Sequence, residues 1–335
     1  MKNLTLKRLA KFAWKIVYGI FAIIGLLTVA AIIILNIYIL KTGQSAYFCT
    51  GPYPSITFPK VAFGISHLPY PSVALRFNSD KLRASGKYAN DTIRIEMKTV
   101  KDTARAREIQ EYFQLDTLYN ANASTWDKTL AVAKFVATNI PHAPYPTVWP
   151  ERLNAISLWE YTKDVEPAFN CRLHSIMMYE LLQSIGIEAR FITCSPEDSN
   201  DSDCHVMNHV WLPELGKWAM IDSDSGGNYA TDEDGTPLSL PEIRQRYIDD
   251  KPICFHPKFD EKGSSKVSYH HAYIAKNSYW YSSWETLHYD QEPSANKDVG
   301  RYIHLIPSGF KPFGVDNIDV VTTDSAKFWA PPIVE

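Results

Sequence analysis

Residues 171–194, CRLHSIMMYELLQSIGIEARFITC, place a helical pattern directly before a strand pattern. Apolar side chains recur at helical spacing from Leu173 to Ile185, and Gly186 is the residue type that most often ends a helix. The following IEARFITC, 187–194, has the composition of a β-strand. The sequence therefore predicts a helix that begins at Cys171 and is followed by a strand.

Residues 208–224, NHVWLPELGKWAMIDSD, predict a β-hairpin around a Leu-Gly turn. If Glu214 faces Lys217, through a loop of two or four residues, His209 and Asp222 become direct cross-strand neighbours with Cβ atoms about 5 Å apart. A loop of three residues would separate them. If Glu214 faces Lys217, the carboxylate of Asp222 can hold and orient the imidazole of His209.

The chain order Cys171, His209, Asp222 suits nucleophilic catalysis. A thiol at a helix N-terminus feels the positive end of the helix dipole, which favours the thiolate. A histidine can pair with that thiolate and protonate a leaving amine, and an aspartate can fix the tautomer of the histidine.

NCRLHSIMMYELLQSIGIEAR followed by NHVWLPELGKWAMID resembles the core of the transglutaminase-like superfamily. The shared features are a cysteine that opens a helix, GI-x-AR after it, His-x-Trp, and Trp-x-x-x-Asp. The resemblance covers about residues 116–230, a third of the chain. It implies an α+β, papain-like core with Cys171 as nucleophile, His209 as base and Asp222 as the orienting group. It also favours the register that puts His209 opposite Asp222.

The chain departs from the family pattern on both sides of the cysteine. Phe169 stands where the family usually has glycine, and Arg172 where an aromatic residue is common. The residues that would form an oxyanion hole are therefore left open. The calcium-dependent animal members carry additional β domains, for which the remaining length leaves no room, so the resemblance implies no calcium, no other metal and no cofactor.

Two other assignments stay open. His205 shares a strand face with His209, and Asp224 shares one with Asp222, so either could take the catalytic role under a different register. Cys204 together with the two histidines could instead be part of a metal site, but their spacing matches no standard zinc pattern.

Residues 16–40 are 25 consecutive uncharged and mostly apolar positions, enough to cross a bilayer as a somewhat tilted helix. A cleaved signal peptide has a shorter apolar region, so a single membrane span is favoured. Five basic residues precede the span and only Lys41 lies between it and Lys60. The positive-inside rule places the N-terminus in the cytoplasm and the main domain in the periplasm or outside the cell.

Charge and cysteine content limit the partners and the redox chemistry. Removing the five basic groups of residues 1–40 from the net charge of −3 leaves −8 on the rest of the chain, which argues against a nucleic-acid partner. Five cysteines in an exported domain cannot all pair. If the strands that carry Cys194 and Cys204 are neighbours, these two can form a disulfide, with reduced core cysteines as the alternative and Cys171 expected to stay free.

These patterns divide the chain into five parts. We expect a cytoplasmic tail at 1–15, the span at 16–40, a membrane-proximal region at 41–115, the transglutaminase-like core at 116–235 and an aromatic-rich extension packed on the core at 236–335. Residues 92–98, TIRIEMK, alternate as a strand, and a capping box at Ser124 predicts a helix that Pro141 stops. The aromatic residues of 269–289 predict either a binding platform or packing against the core.

The sequence thus predicts a membrane-anchored cysteine enzyme that forms a thioester with an amide or peptide carbonyl and passes the acyl group to water or to an amine. Its partners would be the membrane and a peptide or protein substrate outside the cytoplasm. The alternative is an inactive transglutaminase-like binding or scaffold protein of the cell envelope.

Overall fold

A computed structural model of the chain describes residues 2–42, 70–201, 203–265, 267–290 and 301–333. Cys49 and the larger part of the Pro- and Tyr-rich stretch after the apolar segment lie outside these ranges. The first helix, α1, spans Lys2–Thr42 and contains the apolar segment 16–40. Within it, Trp14–Ile34 is long and apolar enough to cross a membrane, and none of it is buried by the rest of the protein. This segment is a membrane anchor or a signal sequence.

Eight further helices belong to the globular part of the described chain. They are α2 (Tyr70–Ala84), α3 (Thr103–Phe113), α4 (Thr125–Asn139), α5 (Ala155–Asp164), α6 (Cys171–Ser184), α7 (Leu240–Ile248), α8 (Ser268–Lys276) and α9 (Ser325–Phe328). Helix α4 begins where predicted, because the Ser124 hydroxyl accepts a hydrogen bond from the N–H of Asp127. Gly186 follows α6 with a φ of +78°, a conformation that glycine adopts without strain.

Ten strands in the described ranges form one large sheet and one short pair. They are β1 (Lys98–Thr99), β2 (Ala189–Ser195), β3 (His205–Leu212), β4 (Lys217–Asp222), β5 (Asn228–Thr231), β6 (Cys254–Phe255), β7 (Trp280–Trp284), β8 (Thr286–Leu287), β9 (Tyr302–Leu305) and β10 (Val320–Thr322). The eight-stranded sheet has the order β10-β9-β7-β2-β3-β4-β5-β6, and β1 pairs with β8. The hairpins are antiparallel, whereas β9 and β10 run parallel.

The two faces of this sheet are buried against different helices. Val206 and Val210 of β3 face the first core, where they meet Leu173 and other apolar residues of α6. Met207, which points the opposite way, belongs to a second core with residues of α7 and α8. Helices pack on both sides of a mainly antiparallel sheet, so the fold is α+β, as the sequence predicts.

The C-terminal third completes the same sheet. Strand β7 pairs with β2, and its aromatic residues Trp280, Tyr281 and Trp284 are each no more than 6% exposed. The packing interpretation of the aromatic segment therefore holds, and the exposed platform does not. The strand predicted over 92–98 is also wrong in extent, because only Lys98–Thr99 pairs, with β8.

The hairpin forms, but its predicted register is wrong by two residues. Leu212 pairs with Lys217, and His209 pairs with Met220 instead of Asp222. The loop starts at Pro213, because proline has no N–H to contribute to the ladder. A shift of two residues keeps each side chain on its own face of the sheet but moves the partner of each residue along the strand.

The four cysteines that the structure describes carry free thiols. Cys194 pairs with His205, so Cys204 lies one position beyond the partner that a direct cross-strand pairing requires. The predicted disulfide between Cys194 and Cys204 is therefore not formed, and the reduced alternative is the one observed. Cys171 is free, as expected.

Candidate active site

Cys171 is the first residue of α6 and lies near the start of β3. Asn170 caps the helix by accepting a hydrogen bond from the N–H of Leu173 at 3.2 Å. The N–H of Cys171 lies in the first turn, where helix geometry provides no intrahelical acceptor. The thiol is partly exposed, in contrast to the fully buried Leu173. A reactive group is thus placed at the positive end of a helix and within reach of solvent.

His205, at the start of β3, lies close to both a carboxylate and the thiol. Its Nε2 lies 2.7 Å from Oδ2 of Asp222, and one of its ring nitrogens lies within 4.8 Å of the Cys171 sulfur. Since Nε2 is used by Asp222, Nδ1 is the nitrogen that remains for the thiol. Burial lowers the pKa of His205, but the charge and hydrogen bond of Asp222, together with Cys171, outweigh it and raise the pKa well above its usual value.

A second carboxylate, that of Asp224, lies at the same site. One oxygen of Asp224, one ring nitrogen of His205 and the sulfur of Cys171 all lie within 4.8 Å of one another. The Nδ1 of His142 is 2.9 Å from both oxygens of Asp224. Burial would raise the pKa of Asp224, but the hydrogen bond with His142 and the nearby histidines hold it below its usual value. Asp224 is therefore an ionised, buried group.

His174 lies one turn after the cysteine and is completely buried. Its Nε2 is 3.5 Å from Oδ1 of Asp224, and its ring packs edge-on against Phe169 at 4.8 Å. Burial lowers the pKa of His174, so the ring is neutral near pH 7. Phe169 is fully buried and forms a parallel bridge with His142. Where the family usually has glycine, the aromatic ring of Phe169 thus fills the space beneath the site.

His205 is held in place from the side of α8. The ring of Tyr273 packs against the imidazole at 5.4 Å, and its hydroxyl donates a hydrogen bond to Asp203 at 3.1 Å. The ammonium of Lys276 lies 2.9 Å from the carboxylates of both Asp201 and Asp203 and is almost fully buried. This network ties the acidic loop before β3 to α8, next to the first residue of the strand.

His209 occupies a different place from the one that the sequence suggested. It is fully buried, its ring stacks on Trp218 at 5.4 Å, and its Nε2 accepts a hydrogen bond from the N–H of Leu240 at 3.2 Å. Burial, with Arg190 and Lys217 nearby, holds the pKa of His209 well below its usual value. The structure brings Cys171 and Asp222 together around His205, four residues earlier on the same face of β3.

The sequence patterns indicate His205 and Asp224 only as alternatives to His209 and Asp222. They do not indicate His142 or His174. Pro213 is the sequence feature that points to His205. If the loop starts at Pro213, Asp222 lies nearer to the start of β3, and His205 instead of His209 becomes its neighbour. His142 precedes the cysteine by 29 residues and carries no local pattern. Only the bridge between His142 and Phe169 brings it to Asp224.

Comparison with known protein families gives one match. Residues 115–223 match the sequence profile of the transglutaminase-like superfamily. No curated protein sequence matches the chain.

Two solved structures are similar to part of the chain. One is a protein from Cytophaga hutchinsonii that is proposed to be a cysteine protease, with 18% identity, a TM-score of 0.28 and coverage of 35% of this chain and 37% of the other. The second is a proposed protease from Parabacteroides distasonis, with 12% identity, a TM-score of 0.23 and coverage of 45% of this chain and 26% of the other. The chain thus spans about a third of the first protein and a quarter of the second. Residues 115–223, which carry Cys171, His205 and Asp222, belong to the transglutaminase-like superfamily.

Proposed function

We propose that the protein is a cysteine-dependent acyl-transfer enzyme in which Cys171 is the nucleophile, His205 the acid and base, and Asp222 the orienting group. The observation that carries this proposal is the imidazole of His205, which is hydrogen-bonded to Asp222 and has a ring nitrogen within 4.8 Å of the Cys171 sulfur. The chain order Cys, His, Asp and this proximity suit an activated nucleophile, whose hydrogen bonds are often longer without substrate. The proposal assigns to His205 the role that the sequence suggested for His209.

The reaction begins with attack of the Cys171 thiolate on an amide or peptide carbonyl carbon. The electron pair of the C=O bond moves to oxygen, and the N–H of Cys171, unused within the helix, is in position to donate to that oxyanion. When the C–N bond breaks, the imidazolium of His205 gives its proton to the amine, and a thioester remains. His205 is then neutral and can accept a proton from the incoming water or amine, which releases the acid or the new amide and restores Cys171.

Hydrolysis is the simpler of the two outcomes, since it needs only water as the acceptor. The substrate class that we propose is a peptide or protein. Cys171 is partly exposed at the start of α6, so that a substrate chain can reach it from solvent. Asp222 keeps the imidazole protonated, which suits a leaving group as basic as an amine.

We further propose that α1 anchors the enzyme in a membrane, with the N-terminus in the cytoplasm and the catalytic domain on the other side. Support comes from the length and hydropathy of Trp14–Ile34 and from the five basic residues that precede the apolar stretch. The substrate would then lie outside the cytoplasm.

The test uses the full-length protein in detergent, in buffer with a chelator, labelled with iodoacetamide at pH 6.5 and analysed by peptide mapping. We expect Cys171 to react at least tenfold faster than Cys204 or Cys194, because burial raises the pKa of both of those thiols. Equal rates at the three cysteines would contradict the proposal.

Two matched variants assign the base. His205→Gln should slow the labelling of Cys171 at pH 6.5 by an order of magnitude or more, since the thiolate loses its counter-ion. His209→Gln, on the same strand and face, should leave the rate within about twofold. The reverse result would return the role to His209.

A further inference from the structure

The proposed triad leaves one feature of the site without a function. Asp222 already orients His205, yet Asp224 places a second carboxylate oxygen within 4.8 Å of the thiol sulfur. The triad assigns no role to this second carboxylate.

Thiolate, imidazole and carboxylate are also the three ligand types that zinc prefers. One such atom from each of Cys171, His205 and Asp224 lies within 4.8 Å of the other two. Zinc bond lengths of about 2.0 to 2.3 Å in a tetrahedron require ligand atoms roughly 3.3 to 3.7 Å apart. Rotation of the exposed cysteine side chain and a small approach of the other two groups would meet that requirement.

The groups that hydrogen-bond to His205 and Asp224 are of the kind usually found around metal-ligating residues. A ligating histidine usually donates its other ring nitrogen to a carboxylate, and Nε2 of His205 does so to Asp222. A ligating carboxylate is itself hydrogen-bonded, and Nδ1 of His142 contacts both oxygens of Asp224. One of these oxygens can bind a metal while the other keeps its contact with His142.

We propose that the site binds one zinc ion reversibly through Cys171, His205 and Asp224, and that the bound ion blocks the nucleophile. This inference rests on the proposed function for its consequence, although the binding itself does not require catalysis. Three protein ligands leave the fourth position to water. The proton that Cys171 and His205 hold between them is released on binding, because sulfur and nitrogen both donate an electron pair to the metal.

The experiment titrates Zn²⁺ into full-length protein in detergent, against a chromophoric chelator, and repeats the titration with Co²⁺ as a spectroscopic probe. We expect one tight site per chain, release of about one proton and a thiolate-to-cobalt charge-transfer band. Asp224→Asn should weaken zinc binding by at least tenfold, and Cys171→Ser should abolish the charge-transfer band. His209→Gln is the control and should bind as the wild type does.

Equal zinc affinity in wild type and Asp224→Asn, or a charge-transfer band that survives Cys171→Ser, would overturn the inference. If Asp224→Asn does not fold, Asp222→Asn gives the same test, since loss of a carboxylate behind a ligating histidine typically weakens metal binding 10- to 100-fold. Rapid alkylation of Cys171 in the metal-free protein tests the proposed function separately. Rapid alkylation without zinc binding would therefore reject the inference alone.

Discussion

The carboxylate of Asp222 on β4 contacts His205 on the adjacent strand β3, although the two residues are not paired opposite each other in the ladder. The two atoms are 2.7 Å apart, while the ladder itself ends with Asn208 paired to Ile221. The contact is therefore made diagonally at the end of the hairpin, where a ring nitrogen of His205 also lies within 4.8 Å of the Cys171 sulfur. This diagonal contact links the sheet to the nucleophile.

Asp222→Asn should reduce turnover by a factor on the order of 10³ to 10⁴, because a neutral amide neither holds the catalytic tautomer nor stabilises the imidazolium. Steady-state hydrolysis of an activated ester such as p-nitrophenyl acetate measures this effect. Ser223→Ala, at the adjacent position, is the control and should retain activity within about threefold. Similar rates for Asp222→Asn and the wild type would remove Asp222 from the triad.

The raised pKa of His205 makes both activity and stability depend on pH. A group whose pKa is raised by folding stabilises the protein fully below its unfolded value, about 6.5, and this stabilisation is lost as the pH rises through the folded value. We expect acyl transfer to amides to fall over that same range above pH 6.5, since the leaving amine then lacks its proton. Thermal unfolding from pH 5 to 10 should show the loss in the wild type and not in His205→Gln.

His209→Ala should lower stability without affecting the reactivity of Cys171. The side chain is buried between Trp218 and Trp329, and its removal leaves a cavity and the N–H of Leu240 without its acceptor. Losses of this kind cost about 2 to 4 kcal/mol of the free energy of unfolding. Urea unfolding followed by tryptophan fluorescence measures it, and a stable variant with slow alkylation would contradict the prediction.

Lys276→Met should destabilise the protein by about 3 to 5 kcal/mol, because Asp201 and Asp203 would then be buried charges without a partner. The triple variant Lys276→Met with Asp201→Asn and Asp203→Asn should recover most of that loss. The same denaturant titration compares them. If the single variant is as stable as the wild type, the network does not hold the acidic loop.

Membrane topology is tested by fusing a reporter after Glu335. A reporter that works only outside the cytoplasm should be active, and protease added to that side of the membrane should digest the catalytic domain. A reporter that is active only in the cytoplasm would reverse the proposed orientation.

Local patterns predicted the helices better than the contacts between strands. Ser124 and Cys171 mark helix starts that the structure confirms, since capping depends on residues within a few positions. Strand pairing depends instead on the position of one loop. A turn centred on Leu215-Gly216 ignores Pro213 and assigns His209 the partner Asp222, two positions beyond its actual partner Met220. The face of each residue was still predicted correctly, because a shift of two preserves alternation.

The remaining site residues depend on contacts that local patterns do not encode. His142 and Asp224 are 82 positions apart and meet through a single bridge beside Phe169. The strand predicted at 92–98 is wrong for a related reason. Ile95 and Met97 pack on the second core, but their backbones do not pair with a strand. Alternation indicates which side chains are buried, but it does not identify a hydrogen-bonding partner.

The place of β7 in the sheet also has a consequence for the timing of biosynthesis. This strand pairs with β2, the neighbour of the strand that carries His205, and the carbonyl oxygens of Phe328 and Ala330 accept hydrogen bonds from Arg190 and Trp218. A growing chain that has reached only the end of the hairpin lacks these contacts, which come from about 60 to 110 residues further on. The sheet that carries His205 is therefore completed only after residues 280–330 have left the ribosome, well after the triad residues themselves.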